Sequence, residues 1–435
     1  MKKLYLASLG CVKNLIDSEV MLGKLKDYEI TLNPKEADVL IVNTCGFINP
    51  AKEESINTIL ELAQEKKEDA LLAVTGCLSE RYKEALIKEI PEVNIWSGVG
   101  DFDKIDELIQ KAKHKKVIKF SKKVFLIHNE KRIITGSSYH AFIKLSEGCN
   151  QKCAFCAIPN FKGKLNSRPV DEIIEEIKYL KSLGYKDFSL ASQDSSSYLK
   201  DKGIKDGLER LIDEIDKIDD INVRILYLYP ATTTKRLIKK IFSSKNVQNY
   251  FDMPIQHINE NVLKIMKRPS SIKKLKELLY LMKEEFSFVR TSVIAGHPGE
   301  REEDFKELCQ FLKEYNFDRV NVFAYSDEED TSAFKRKDKL PQEIVEKRAE
   351  ILGEIVQKTT LNSLKKYVEK TCECFFDGLT DDELFYTVRP KLWEVEIDGD
   401  ILINESKKEN INTGDLVKVK VNELAGEELI GKIIK

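Results

Sequence analysis

Short apolar runs alternate with amphipathic stretches over the first 117 residues. Four runs have the length and composition of strands, at 3–8, 38–43, 71–76 and 94–97. Helical periodicity is found near 14–27, 50–67, 79–89 and 102–113. Because strands that alternate with helices usually pair in parallel, residues 1–117 are predicted to form an α/β domain. The charged, hairpin-like stretch 118–140 is interpreted as a linker.

A longer alternation continues through residues 141–368. Its candidate strands, each followed by a helical pattern, are 141–146, 187–192, 222–227, 250–255, 289–295 and 319–325. Successive βα units predict a partial (β/α) barrel with its active site at the carboxyl ends of the strands. Residues 369–435 lack helical periodicity and contain alternating runs such as ECFFDGL and WEVEID between Gly and Asp turns. They predict a small, OB-like antiparallel β-barrel, so the fold class is multidomain α/β plus β.

Composition narrows the location and the partners of the chain. No apolar run approaches the length of a membrane span, and the N-terminus has the pattern of a strand rather than of a signal peptide. We therefore expect a cytoplasmic protein without membrane contact. The formal net charge of −2 argues against non-specific binding of nucleic acid by the whole chain. Nine cysteines in a reducing compartment leave metal binding, catalysis or burial as explanations.

Three cysteines are clustered in SEGCNQKCAFCAIP, directly after the first predicted barrel strand. The C-x3-C-x2-C spacing lets Cys149, Cys153 and Cys156 converge on one metal centre. Three thiolates satisfy three irons of a four-iron cluster and leave one iron free to bind a small molecule. A structural zinc site is the alternative, but it needs a fourth ligand and none lies nearby in the sequence.

Three further cysteines are far apart in sequence but share one position in the predicted sheet. Cys11, Cys45 and Cys77 each follow the carboxyl end of a strand, in SLGC, NTCG and TGC. Loops at that edge of a parallel sheet lie side by side, and a glycine beside each cysteine allows a tight turn around a bulky ligand. The pattern is compatible with a second cluster and about equally with three cysteines buried in an apolar sheet.

Four motifs together resemble the methylthiotransferase branch of the radical S-adenosylmethionine (SAM) superfamily. They are SLGCVKNLIDSE, NTCGFINPAKEESI, TGCLSER and SEGCNQKCAFCAIPNFKGKLNSRP. The resemblance spans nearly the whole chain and identifies residues 369–435 as a TRAM-like domain. It implies two [4Fe-4S] clusters, whose ligands are Cys149, Cys153 and Cys156 for the cluster that binds SAM, and Cys11, Cys45 and Cys77 for an auxiliary cluster.

The resemblance also implies the chemistry. An electron from a low-potential donor would cleave SAM at the first cluster, and the resulting 5′-deoxyadenosyl radical would remove hydrogen from an unactivated carbon. Sulfur held at the auxiliary cluster would then be transferred after methylation by a second SAM. RTSVIAGHPGE resembles the strand that borders the SAM adenosine, which makes Gly296 a candidate SAM contact, and LASQDSSSY adds Gln193. No catalytic side chain is assigned, and a monomer is expected.

Members of this family modify either an aspartate of a ribosomal protein or a modified adenosine in tRNA. SLGCVKNLIDSE and NTCGFINPAKEESI resemble the ribosomal-protein type, RimO, whereas the tRNA type, MiaB, is similar to YGCQMN and NTCSVRE. Residues 370–435 contain nine Lys/Arg and fifteen Asp/Glu, a balance of −6 that repels phosphates and suits a basic protein.

Both features favour methylthiolation of an aspartate β-carbon in the twelfth small-subunit ribosomal protein, either free or in the assembled small subunit, with no direct tRNA substrate. Methylthiolation of tRNA is the alternative. Two other classes of protein are also compatible with cysteine clusters: an iron–sulfur electron carrier, and an RNA-binding protein with structural zinc. An electron carrier would leave the predicted (β/α) barrel unexplained.

Overall fold

The computed structural model describes residues 1–122, 124–128, 130–268, 271–283, 286–380, 382–406 and 410–434. Within those ranges, no helix combines the length and the apolar composition that a membrane span requires. The N-terminal domain is a sheet with helices on both faces. Its strands are β1 (Lys2–Ser8), β2 (Tyr28–Ile30), β3 (Val39–Thr44), β4 (Leu71–Gly76), β5 (Ile95–Ser97) and β6 (Val117–Lys119). Its helices are α1 (Val12–Lys24), α2 (Asn49–Glu65), α3 (Cys77–Glu89) and α4 (Ile105–Ala112).

The six strands pair in parallel in the order β2-β1-β3-β4-β5-β6, which confirms the predicted sheet. Strand β3 is buried along its whole length, as central parallel strands usually are. Successive β3 side chains alternate between two cores, Val39 and Ile41 facing α1 and α4, Leu40 and Val42 facing α2 and α3. Strands β2 and β6 were not predicted, because each has only three residues and is partly exposed.

The central domain contains the predicted partial barrel. Its strands are β7 (His140–Lys144), β8 (Ser146–Glu147), β9 (Asn166–Ser167), β10 (Asp187–Ala191), β11 (Asn222–Ile225), β12 (Tyr250–Asp252), β13 (Phe288–Ala295) and β14 (Arg319–Ala324). Its helices are α5 (Ile158–Lys162), α6 (Val170–Ser182), α7 (Gly207–Ile215), α8 (Lys235–Phe242), α9 (Glu260–Ile265), α10 (Ile272–Met282), α11 (Glu302–Tyr315) and α12 (Gln342–Leu364).

The barrel is built from two parallel half-sheets, β11-β10-β7 and β12-β13-β14. The Leu228 N–H donates to the Asp252 carbonyl at 2.7 Å and joins the two halves. All six predicted barrel strands are thereby confirmed. No strand pairing among the described residues links β14 back to β7, so the barrel is open on that side. Its apolar core lies between the strands and the outer helices, as in other βα barrels.

The C-terminal domain is a closed five-stranded barrel. Its strands are β15 (Thr371–Leu379), β16 (Tyr386–Pro390), β17 (Ile401–Ser406), β18 (Leu416–Ala425) and β19 (Glu428–Ile433), in the ring order β15-β16-β17-β19-β18. The predicted small barrel is confirmed, with one difference in pairing. Strand directions cannot alternate all the way round a ring of five, and β17 and β19 are the pair that runs parallel.

This small barrel packs against the amino ends of the larger barrel's strands. Asp187, at the start of β10, binds Arg224 at 2.6 Å and Arg389 of β16 at 2.5 Å. Arg224 also binds Glu394 of the C-terminal domain at 3.2 Å. Glu394 and Asp398 are completely buried. Part of the negative charge that suggested a basic partner is therefore buried between the two barrels and does not face solvent.

Arg389→Met tests how strongly this contact holds the two barrels together. The substitution keeps an apolar stem but leaves the buried Asp187 with one arginine in place of two. We expect the free energy of unfolding to fall by about 3 kcal/mol. Lys391→Met is the control, because Lys391 makes a half-exposed pair with Glu373 at 3.5 Å. Its loss should cost less than about 1 kcal/mol in the same urea titration. Equal losses of unfolding free energy in the two variants would contradict the claim that the Arg389 contact holds the two barrels together.

Candidate active site

The N-terminal domain covers the carboxyl ends of the barrel strands. Asp17 of α1 binds Lys144 at the end of β7. On the other side, Glu328 binds Arg81 at 2.7 Å and Lys52 at 2.9 Å. A cavity of about 390 Å³ lies between the two domains. Its lining includes all six cysteines of the two predicted clusters, namely the N-terminal triad (Cys11, Cys45, Cys77) and the barrel triad (Cys149, Cys153, Cys156).

The N-terminal triad is assembled by three loops at one edge of the sheet. Cys11 precedes α1, Cys45 follows β3 and Cys77 is the first residue of α3. Gly10 has φ +86°, and a Cβ there would lie 2.7 Å from the Cys45 sulfur. Gly76 has φ +94°, and a Cβ there would lie 2.6 Å from the backbone of β3. The glycines are therefore needed because the loops approach one another closely, a reason that differs from the expected turn around a ligand.

The loop that carries the barrel triad is pinned by backbone hydrogen bonds. The Ala154 N–H donates to the Met266 carbonyl, and the Ala154 carbonyl accepts from the Ala333 N–H, both at 2.8 Å. Helix α5 follows the triad directly. Phe161 of α5 belongs to the same small apolar cluster as Cys77. The helix that leaves the barrel triad thus touches the N-terminal triad.

Cys45 and Cys77 are buried, the barrel triad is half-buried and Cys11 is exposed, so these thiols are desolvated to different degrees. The pKa of Cys77 is raised to about 12, chiefly by burial; Lys162 opposes the rise, and Cys11 and Cys45 contribute to it. Burial likewise raises the pKa of Cys156 to about 12. At the exposed Cys11, the desolvation that remains would raise the pKa, but Lys13 and the backbone N–H of Asn14 outweigh it and lower the pKa. Thiols of this kind ionise when a metal binds them.

A site for a single metal ion is not found among the described donors. In the part of the chain that the structure describes, no three His, Cys, Asp or Glu side chains lie close enough to share one metal ion. A structural zinc site needs four ligands around one ion, with Zn–S distances of about 2.3 Å. In a four-iron cluster the thiolates lie further apart, because each binds a different iron, and the binding of such clusters by the two triads stays a prediction.

Beside the triads, four buried charges join the two domains. Lys144 binds Asp17 and also Glu147, the latter at 2.8 Å. Lys162 lies 3.4 Å from Asp17 and 3.3 Å from Glu147. Burial disfavours the charged form of Glu147, but the two lysines outweigh it and lower its pKa to about 2. Only Asp17 comes from the N-terminal domain, so this ion-pair cluster fastens that domain to the barrel.

Polar and aromatic residues that were not predicted complete the cavity wall. Arg268 lies next to the barrel triad, because one of its N–H groups is 3.4 Å from the Cys153 sulfur and its guanidinium is 4.4 Å from the Tyr229 ring centroid. Tyr227 and Asp252 follow or end barrel strands, a position that could have identified them. Arg268 follows a helix and gave no such signal.

Backbone conformation marks two of the lining residues. Tyr227 has φ +61° and Gln256 has φ +69°, both in the left-handed region that costs a non-glycine residue energy. Both residues lie just beyond a barrel strand and line the cavity. Strained backbone of this kind is concentrated at functional sites.

The two residues suggested as SAM contacts have different surroundings. Gln193 lines the cavity, and its Oε1 is buried with no hydrogen-bond partner among the described residues. Gly296 is not part of the described cavity lining. Its N–H donates to Glu300 at 3.1 Å, and a Cβ there would lie 2.7 Å from Val345 of α12. Helix packing therefore explains the glycine, and a contact of Gly296 with SAM stays a prediction.

Two family models match the chain. One, described as Uncharacterized protein family UPF0004, matches residues 3–98, and the Radical SAM superfamily model matches residues 143–312. Each matched range contains one complete triad.

Relatives similar over nearly their full length include proteins named ribosomal protein uS12 methylthiotransferase RimO. The protein from a Nitratiruptor species is 56% identical, with 99% of each chain covered. The protein from Aliarcobacter butzleri is 54% identical, with 100% of this chain and 98% of the relative covered.

Among solved structures, the radical SAM methyltransferase TsrM from Kitasatospora setae has a TM-score of 0.56 at 13% identity, over 75% of this chain and 74% of that chain. The cobalamin-dependent SAM radical enzyme OxsB has a TM-score of 0.52 at 11% identity, over 82% of this chain and 56% of that chain. At these identities the likeness concerns the fold alone.

Asp17→Asn tests the ion-pair cluster. It leaves two buried lysines against one carboxylate, so we expect the free energy of unfolding to fall by about 3–5 kcal/mol. The N-terminal domain should also separate from the barrel more often, which limited proteolysis of the 120–139 segment would detect as faster cleavage. Asp27→Asn, at an exposed acid just beyond α1, is the matched control and should behave as wild type. Equal stability and cleavage of both variants would show that the cluster does not hold the domains together.

Proposed function

The chain belongs to the family of ribosomal protein uS12 methylthiotransferases named RimO, and from this premise we propose that it transfers a methylthio group to the β-carbon of an aspartate in uS12. It is a radical SAM enzyme. The observation that carries the proposal is that both cysteine triads line a single cavity. A reaction that removes hydrogen from a carbon and then adds sulfur to it needs both cofactors within reach of that carbon.

We assign the SAM-binding [4Fe-4S] cluster to the barrel triad and a second, auxiliary [4Fe-4S] cluster to the N-terminal triad. When bound, these groups supply reductive cleavage of SAM and a place for the sulfur to be transferred. The chain supplies three thiolates to each group, and no other cysteine is found among the described residues of the cavity lining. One iron of each cluster is therefore left for a ligand that is not a cysteine.

Arg268 and Gln193 are our proposed contacts for SAM. Arg268 is beside Cys153, and its guanidinium can bind a carboxylate through two parallel hydrogen bonds. One of its N–H groups already donates to the Pro254 carbonyl, which fixes the orientation of the fork. Gln193 offers a buried oxygen that needs a donor, and the amino group of SAM is one.

The partners follow from the chemistry and from the placement of the domains. Reductive cleavage of SAM needs a low-potential electron donor. We propose that the chain is a cytoplasmic monomer. Its substrate is uS12, either free or in the small subunit. The C-terminal domain contributes no described residue to the cavity lining. If it binds the basic substrate, it contacts a part remote from the modified aspartate.

Metal analysis after anaerobic reconstitution tests the two clusters. Wild type should bind about eight irons per chain, four in each cluster. Replacing the barrel triad by alanine should leave about four irons and abolish SAM cleavage. Replacing the N-terminal triad should also leave about four irons and preserve SAM cleavage, but stop methylthio transfer. Cys309→Ala, in helix α11 and outside the described cavity lining, is the control and should match wild type. Unchanged iron in either triple variant would refute that triad's assignment.

The substrate is tested by supplying uS12, assembled small subunits and tRNA in separate anaerobic reactions with SAM, sulfide and a strong reductant. We expect mass spectrometry to find a methylthio group on one uS12 aspartate and none on tRNA. The reason is that relatives 56% and 54% identical to this chain over nearly its whole length carry the uS12 name. Modification of tRNA with uS12 untouched would overturn the substrate assignment and restore the tRNA alternative.

A further inference from the structure

Lys13 is a buried lysine in the wall of the cavity. The residue is only 9% exposed, and its Nζ lies 3.9 Å from the centroid of the Tyr227 ring. Within the described part of the chain, its ammonium group takes part in no hydrogen bond and no ion pair. Contact with an aromatic face compensates only part of the cost of removing an ammonium from water.

Two other lysines show that the fold can neutralise such a charge. Lys144 and Lys162 are the remaining buried lysines among the described residues, and each contacts both Asp17 and Glu147. Lys13 lies on the same helix as Asp17 yet is left out of this cluster. Its charge is therefore available to a ligand that enters the cavity.

The other cations of the described cavity lining belong to the barrel: Lys162, Arg268 and Arg290, whose Nε and Nη1 are buried with no hydrogen-bond partner among the described residues. Lys162 is paired in the ion-pair cluster, and Arg268 is fixed by the Pro254 carbonyl at the barrel triad. Asp252 accepts a hydrogen bond from the Tyr227 N–H at 3.1 Å. Among the positive groups acting on Asp252, Arg290 acts more strongly than Lys13. Lys13 is thus the cation of the N-terminal wall that lacks an anion.

We infer that Lys13 binds the side-chain carboxylate of the target aspartate and thereby determines the substrate. The inference rests on the proposed function. Lys13 is two residues from Cys11, and its Nζ reaches the barrel residue Tyr227, so it extends from the N-terminal wall of the cavity to the barrel wall. The β-carbon of an aspartate is one bond from its carboxylate. A carboxylate fixed on Lys13 therefore restricts where the reacting carbon lies, and a neutral nucleobase would leave the ammonium unpaired.

A double-mutant cycle between enzyme and substrate tests the contact directly. The binding of uS12, and of uS12 with the target aspartate replaced by asparagine, is measured anaerobically by fluorescence anisotropy with cluster-loaded enzyme. Wild type should bind the aspartate form about 10- to 100-fold more tightly than the asparagine form. Lys13→Met should bind both forms with the weaker affinity, whereas Lys13→Arg should retain the preference. Lys24→Met, at an exposed lysine in the last turn of the same helix, should match wild type.

The thermal midpoint of the substrate-free Lys13→Met variant provides a second readout. A structural role for Lys13 would lower this midpoint, whereas substrate binding by an unpaired charge would not. Removing an unpaired buried charge should leave the thermal midpoint of the substrate-free protein unchanged or raise it. A lower midpoint for Lys13→Met, together with an unchanged preference for the aspartate form in Lys13→Arg and Lys13→Met, would overturn the inference.

The competing role for Lys13 is as a counter-ion of the auxiliary cluster, since it already acts on the Cys11 thiol. That role predicts lost iron or a shifted reduction potential in Lys13→Met with the aspartate preference intact, and this outcome would also overturn the inference. Failure of the proposed function is distinguishable, because wild type would then modify no uS12 at all. If wild type modifies uS12 and Lys13→Met still discriminates between the two substrates, only the inference about Lys13 fails.

Discussion

Four buried charges hold the two halves of the active site together, and the rest of the site depends on them. Asp17 from the N-terminal domain binds Lys144 and Lys162 of the barrel, and both lysines also bind Glu147. Neither domain could bury its own charges of this cluster alone. The barrel would retain two ammonium groups against one carboxylate, and the N-terminal domain would retain a carboxylate with neither lysine. The cluster lies beside both triads and so fixes the cavity between them. Two separate α/β units thereby become one site.

Features with a local signal were predictable from the sequence. Cys11, Cys45 and Cys77 could be grouped because each follows a strand, and the carboxyl ends of parallel strands share an edge. The physical reason for the adjacent glycines was not accessible in the same way. Gly10 is required by the closeness of the Cys45 loop, which only the folded chain brings to it.

Features created by packing between domains were missed for a common reason. Lys13 has the sequence context of an ordinary helical lysine, and its burial follows from the barrel that closes over it. Glu394 and Asp398 were included in the charge balance that suggested a basic partner, although both are buried in the folded chain. Gly296 looked like part of a ligand turn, whereas α12, which follows it in the chain, packs against it. A linear pattern reports periodicity and spacing, but it does not report which faces meet.

The central claim is that both triads bind clusters at one shared cavity. Anomalous diffraction at the iron edge, from crystals of the anaerobically reconstituted protein, measures where iron lies without relying on activity. The account predicts two separate iron sites, one bounded by Cys11, Cys45 and Cys77 and the other by the barrel triad, both at the cavity that the two domains enclose. A single iron site, or iron bound away from this cavity, would contradict it.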